Sequence, residues 1–333
     1  MTDPQPIRQA IGDRMMAALP YRQGHPRPEL AQYGQLLADY PQRGGKMLRG
    51  LLLYLSALAH GGQREPALQT AAALELFQNW VLIHDDIEDG SEERRGRPAL
   101  HRLYGLPLAL NAGDALHARM WGMLLEANLP REVLGEMAHL IELTAQGQHL
   151  EISWMEAHRF DLVEEDYLLM CSQKAAYYTA VAPLKLGALV AGYTPPAVYE
   201  EAGLDLGIGF QIVDDVLNLN GDPAKYGKEI AGDLWEGKRT LILLHYLGQA
   251  NPAQRQRAEQ LLQTPREAKN PAEVAWLHQQ LLDSGSVAHA QREADLRLNR
   301  GLGQLQPVLS QLPHTQAAAM LLSTLEQLVR RES

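Results

Sequence analysis

A single cysteine, Cys171, stands among the 333 residues of this chain. No intrachain disulfide can form, and a reducing, cytoplasmic compartment is the expectation. Cations are in short supply as well: 30 Lys and Arg face 40 Asp and Glu, for a formal net charge of −10. That balance argues against nucleic acid as a partner and against a general attraction to anionic membranes. No uninterrupted apolar run approaches the roughly 18 residues of a membrane span, so no integral membrane segment is expected. The opening Met1-Thr2-Asp3-Pro4-Gln5-Pro6 has no basic stretch leading into an apolar one, and no signal peptide is expected. Missing too are alternating apolar and polar segments bounded by turns, the pattern of strands.

What is present is helical nearly throughout. Hydrophobic residues make up 46% of the chain and charged residues 21%, an ordinary balance for a globular protein able to bury a sizeable core. The pattern predicts helices over about 6–19, 28–39, 46–59, 66–89, 107–128, 131–157, 164–191, 196–219, 237–248, 252–263, 271–283, 286–305 and 313–331. Gly, Pro or Asn marks the breaks, as at Gly44-Gly45, Pro195-Pro196 and Asn251-Pro252. In 66–89, Leu74, Phe77 and Val81 form one stripe while Leu76, Trp80 and Ile83 form another. A helix apolar on several sides is buried among other helices. Segments after about 250 are more polar and one-sided, and read as an outer layer. With no long linker, the expectation is one all-α domain over 1–333.

Two acidic clusters follow strongly apolar runs: His84-Asp85-Asp86-Ile87-Glu88-Asp89 and Gln211-Ile212-Val213-Asp214-Asp215-Val216-Leu217-Asn218. Residues four apart share a helix face, so Asp85 and Asp89 point together with Asp86 on the flank. Close carboxylates repel unless a cation sits between them. Mg²⁺ suits such a site, because it takes one or two carboxylates, keeps waters and completes its shell with phosphates. Alone, each cluster could equally be a solvated helix end.

Basic elements alternate with the acidic ones. Gly44-Gly45-Lys46-Met47-Leu48-Arg49-Gly50 offers a helix start with Lys46 and Arg49 three apart, a plausible cradle for a diphosphate. The spacing is not that of a P-loop. Glu92-Glu93-Arg94-Arg95-Gly96-Arg97 brings three arginines, whose planar forks match phosphate oxygens. Taken alone they could simply pair with Glu92 and Glu93. Lys174 is a cation in an apolar helix and needs an anionic partner. Gly227-Lys228, then Gly237-Lys238-Arg239-Thr240, follow the second acidic cluster. The alternation suits two phosphate-bearing ligands, one held through metal and one held directly.

With these motifs in order, the chain resembles the trans-isoprenyl diphosphate synthases, of the farnesyl and geranylgeranyl diphosphate synthase type. The resemblance rests on Gly44–Arg49, Glu75–His101, Gly113-Asp114, Gly147-Gln148, Lys174 and Phe210–Thr240, with the core motifs inside 44–245. It implies an all-α isoprenoid-synthase bundle around a deep central cavity, isopentenyl diphosphate and an allylic diphosphate as substrates, and a homodimer. Asp85, Asp89 and Asp214 would bind Mg²⁺, three ions in the loaded state with Mn²⁺ as a substitute, while Asp86 and Asp215 support them. Arg94, Lys174, Lys228 and Lys238 would contact the allylic diphosphate. Lys46, Arg49, Gln78 and Arg95 would hold isopentenyl diphosphate, with Phe210 and Gln211 nearby. Asp85, Asp89, Asp214, Lys174 and Lys238 would carry catalysis by stabilising charge on the departing diphosphate.

The chain departs from the family pattern at Asn218, where Asp is usual, at Ala175, where Thr is common, and at Gly50, where Pro is common. Residues four and five before the first Asp of the first motif set the cavity floor in this family; here they are Val81 and Trp80. A buried Trp is the largest plug available. Helix geometry puts Val81 one turn, about 5.4 Å, beneath Asp85, and turns Trp80 about 140° away from it. Trp80 could also be an ordinary core residue. No extra residues separate Asp86 from Asp89, which favours a C20 product over C15. A terpene cyclase would not need the second basic site of Lys46, Arg49 and Arg95. An inactive regulatory subunit has only Asn218 and Ala175 in its support.

Overall fold

The computed structural model describes residues 3–221 and 229–329. In chain order its helices are α1 (Gln5–Ala17), α2 (Pro28–Gln42), α3 (Leu48–Ala59), α4 (Arg64–Glu88), α5 (Leu100–Tyr104), α6 (Leu106–Glu126), α7 (Arg131–Glu156) and α8 (Glu164–Cys171). A π-helical stretch, Ser172–Val181, runs on into α9 (Ala182–Val190). Then come α10 (Val198–Asn220), α11 (Gly232–Glu236), α12 (Leu241–Gln249), α13 (Pro252–Gln263), α14 (Pro271–Asp283), α15 (Ser286–Leu309) and α16 (Thr315–Val329). The fold is all-α, as expected; among the described residues the strands amount to a small antiparallel hairpin, β1 (Glu93–Arg94) with β2 (Arg97–Pro98).

Both apolar stripes of α4 are used. Leu74 and Phe77 are buried, and so are Leu76 and Ile83. The buried side chains form two clusters. One gathers α1, α2, α4 and α6; the other gathers α8, α10 and the helices from α12 onward. Helix α3 and the π-helix serve both, with Leu53 and Tyr178 in the first and Leu52 and Ala176 in the second. Helices α7 and α9 are shared in the same way, with Met137 and Leu186 in the first cluster and Trp154 and Leu184 in the second.

Three helices expected from periodicity are cut differently. The segment 46–59 begins at Leu48, because Met47 adopts a left-handed conformation with φ 44°. The segment 237–248 begins late, at Leu241: Gly237, whose φ of 83° needs glycine, instead caps the end of the short α11 before it. Thr240 caps α12 by accepting from Leu243 N at 3.3 Å, a device worth about 1 kcal/mol. The segment 164–191 is helical throughout but widens between Ser172 and Val181. Periodicity at 3.6 residues cannot see that change of winding. It is accommodated by Gly147 on α7: a Cβ there would lie 2.2 Å from Lys174 N.

Candidate active site

A cavity of about 710 Å³ opens between α4, α7, the π-helix, α10 and the loop before α12. Its polar end is lined by Asp85, Glu88, Arg94, Lys174, Asp214, Asp215 and Lys238. Phe77, Trp80, Val81, Ile141 and Tyr178 supply apolar wall. Both sequence-marked acidic clusters thus reach one space.

At the end of α4 each of the three aspartates has taken a protein cation. Asp85 lies 3.2 Å from Lys174 Nζ and 3.3 Å from Arg94 Nη2. Asp86 is wholly buried and does not line the cavity. It receives Arg94 Nε at 2.9 Å, a very short contact from Arg94 Nη2, and the Tyr40 hydroxyl at 2.5 Å. Asp86 supports Arg94 directly, because the step of one residue from Asp85 turns it into the protein. Asp89 caps the helix, with Lys238 Nζ 2.6 Å from its Oδ2. That ammonium is not aligned as a hydrogen-bond donor, so neither oxygen of this buried carboxylate accepts a hydrogen bond. Burial pushes Asp89 up to about 7, with Lys238 pulling against it.

Lys174 finds the anion its sequence position demands. Its Nζ makes a very short contact to Glu151 of α7 and the longer one to Asp85. Burial opposes the charge, but Glu151, then Asp85 and Asp89, outweigh it and raise the pKa. Lys238 likewise pairs with Glu236 at 2.8 Å. Glu151 does not stand out in the sequence by itself. Its signal is its position, one helical turn beyond Gly147, the point where α7 meets Lys174.

On the α10 wall Asp215 is held by neutral donors. Asp215 is buried and accepts from the Tyr167 hydroxyl and from Gln211 Nε2, each at 2.8 Å. Burial pushes its pKa up to about 6. Asp214 lines the cavity beside Phe210 and Gln211. Asn218 is buried and is not among the lining residues; its Oδ1 accepts from Asp233 N at 3.2 Å. Its side-chain oxygen serves as an anchor for the start of α11.

A second basic group gathers around α2 and α3. Arg49 Nη2 donates to Thr179 Oγ1 at 2.8 Å and its guanidinium lies 4.4 Å over the Tyr178 ring. Gln78 lines the cavity with a buried Oε1 that accepts no hydrogen bond. Arg95 lines it too and donates to Tyr40 O at 2.9 Å. Lys46 is exposed, next to the lining Gly45 but not itself lining. The left-handed Met47 breaks the helical spacing that would have put Lys46 and Arg49 on one face. Gly50 donates its N–H to buried Glu75 at 2.7 Å. The proline common at this position could not do so.

Arg43 carries no mark in the sequence. It pairs with Asp39 at 2.6 Å and donates to the carbonyls of Arg94 at 2.8 Å and Pro98 at 2.9 Å, clamping the hairpin that delivers Arg94 and Arg95. Lys228 lies outside the described residues.

The donor set fits a hard divalent cation. Asp85 and Asp214 open on the cavity, while Asp89 is buried behind its lining and paired with Lys238. Among the described residues no three acidic, His or Cys groups converge to hold an ion by themselves. That accords with Mg²⁺, which leans on one or two carboxylates and on substrate phosphates.

The model of the Polyprenyl synthetase family matches residues 31–281. A geranylgeranyl diphosphate synthase of Sulfolobus acidocaldarius is 40% identical over 213 residues, spanning 61% of this chain and 63% of that protein. A geranylfarnesyl diphosphate synthase of Natronomonas pharaonis is 32% identical over 310 residues, 86% of each chain. Among solved structures, a geranylgeranyl pyrophosphate synthase from Corynebacterium glutamicum, complexed with isoprenyl diphosphate and magnesium, superposes with a TM-score of 0.87 at 26% identity. That similarity covers 99% of this chain and 100% of the other.

Proposed function

The chain belongs to the polyprenyl synthetase family, and from that premise we propose that it joins isopentenyl diphosphate head-to-tail to an allylic diphosphate, with C20 geranylgeranyl diphosphate as product. One observation carries the reading: a single cavity has carboxylates and cations at one end, a second basic group beside it, and apolar wall beyond. A two-headed, hydrocarbon-tailed substrate pair needs all three.

In this reading Lys174, Lys238 and Arg94 hold the allylic diphosphate, together with Lys228. The first three line the cavity, and the carboxylates paired with them keep their charged heads in place. Arg49, Gln78 and Arg95, flanked by Lys46, hold isopentenyl diphosphate, and Phe210 and Gln211 border the reacting carbons. Mg²⁺ at Asp85, Asp89 and Asp214, as three ions in the loaded enzyme with Mn²⁺ as a substitute, would supply Lewis-acid stabilisation of the departing diphosphate. Asp215 orients the second wall through Tyr167 and Gln211. Phe77, Val81, Ile141 and Tyr178 exclude water from the developing allylic cation.

Trp80 and Val81 both line the cavity, which supports their part in limiting chain length. The relatives named for geranylgeranyl and geranylfarnesyl products favour C20 over C15. A homodimer is supported by the exposed leucines 103, 106, 108 and 110 along α5 and α6. We place the protein in the cytoplasm as one domain over 1–333; no described helix is long and apolar enough to cross a membrane.

The test is incubation with Mg²⁺, isopentenyl diphosphate and C5, C10 or C15 allylic diphosphates, with chromatography of the dephosphorylated products. A C20 alcohol is expected. Absence of condensation with every primer would refute the catalytic reading.

A further inference from the structure

The indole of Trp80 meets the cavity on one side and a ladder of rings on the other. Its outer face stacks on the imidazole of His117 in α6, with centroids 4.1 Å apart and 14° between planes. Phe77 and His84 touch it edge-on, at 5.6 Å and 5.8 Å. Its own Nε1 is buried and makes no hydrogen bond. No polar contact therefore fixes the angle of this ring; only its neighbours do.

His117 is in turn fixed by a directed bond. Trp121, one turn further along α6, donates its Nε1 hydrogen to His117 Nε2 at 3.0 Å. An indole nitrogen is a donor only, so His117 accepts at Nε2 and carries no proton there. Gly113, one turn back on the same face, brings α6 close: a Cβ there would lie 2.3 Å from His84 Nε2 and 3.3 Å from Trp80 Cδ1. Gly113, His117 and Trp121 recur at intervals of four, so a single stripe of α6 backs the cavity wall at Trp80.

We propose that His117 and Trp121 are positioning residues for product length. They act through Trp80, by holding its indole in the plane that closes the apolar end of the cavity. The proposal rests on the prenyl-elongation reading above. Trp121 locks His117, His117 presents a flat face, and Trp80 lies against it. Without that face the indole gains rotational freedom and the apolar end deepens, admitting a further C5 unit.

The experiment compares product distributions of wild type, His117→Ala, His117→Phe and Trp121→Phe, each also in a Trp80→Ala background, with Tm and near-UV circular dichroism recorded alongside. His117→Ala should raise the C25 to C20 ratio roughly fivefold, the scale of one lost aromatic contact. His117→Phe, which keeps a flat ring but loses the Trp121 bond, should bring the ratio back to within about twofold of the wild type. Trp121→Phe, which removes the N–H together with one ring of the indole, should move the ratio in the same direction by about twofold, the scale of one neutral hydrogen bond. In the Trp80→Ala background His117→Ala should lengthen the product no further, because its effect passes through the missing ring. An unchanged distribution in both His117→Ala and Trp121→Phe, with only Tm lowered, would overturn the proposal while leaving the enzyme assignment intact. Equal lengthening with and without Trp80 would overturn it as well. A wild type that makes no prenyl product would remove the reading on which it stands.

Discussion

The two acidic walls look alike in sequence and are held in place by different means. On α4 Asp85, Asp86 and Asp89 pair with Lys174, Arg94 and Lys238, and the Tyr40 hydroxyl joins them at Asp86. On α10 Asp215 rests on a phenol and a carboxamide, and Asn218 takes a backbone N–H. The contrast separates two ways of keeping carboxylates in a dry place. A cation offsets the charge and ties the wall to the groups that will meet the diphosphate. Neutral donors fix the orientation only, and Asp215 is pushed up to about 6 by burial that no cation in contact offsets.

The largest expected break comes from the groups that open on the cavity. Asp85→Ala and Asp214→Ala should each lower kcat by about 10³-fold, the scale of losing one electrostatic contact in a charge-building step. Steady-state assays with saturating isopentenyl diphosphate check this, and near-normal rates in either variant would refute its metal assignment. Stability should separate the walls more sharply. Asp86→Ala strips Arg94 of its main partner in the interior, leaving the contact to Asp85 at 3.3 Å. A loss of about 3 kcal/mol is expected in urea unfolding. Asp215→Asn keeps a side-chain oxygen for the neutral donors and should cost only about 1 kcal/mol. Equal losses would erase the distinction between a cation-held and a neutrally held wall.

The smallest effect is expected at Asn218. Asn218→Asp restores the usual family carboxylate but places it where Asp233 N is the partner, away from the lining of the cavity. Turnover should change by less than about threefold, while unfolding without Mg²⁺ should show a loss of about 1–2 kcal/mol from an added buried charge. A large gain in turnover would mean that this position reaches the metals after all.

Much of this site is legible in the sequence because charge in an apolar run is costly and therefore conspicuous. Lys174 and Asp85 stand out for that reason, and the all-α fold is announced by the missing strand pattern. The hidden part depends on facing. A step of one residue separates Asp85, which opens on the cavity, from Asp86, which is sealed behind it. Lys46 falls out of register because Met47 is left-handed, which no side-chain pattern announces. Glu151 and Arg43 act through partners far away in the chain, at Lys174 and at the 94–98 hairpin. The pairing of a buried lysine can be demanded from sequence; the identity of its partner is a matter of tertiary packing.

The π-helical stretch from Ser172 to Val181 has a consequence for how this chain can change. Hydrogen bonds that skip one residue more than an α-helix behave as an insertion stored inside a continuous rod. Deleting one residue there would let the segment rewind to regular pitch with the helices on either side still in phase. The shift would fall inside the stretch, where Lys174 and Tyr178 line the cavity. This part of the protein therefore has a phase as well as a composition. A one-residue deletion would leave α8 and α9 in phase and be felt by the side chains of the stretch itself, whereas a deletion in a regular helix would turn everything beyond it by about 100°.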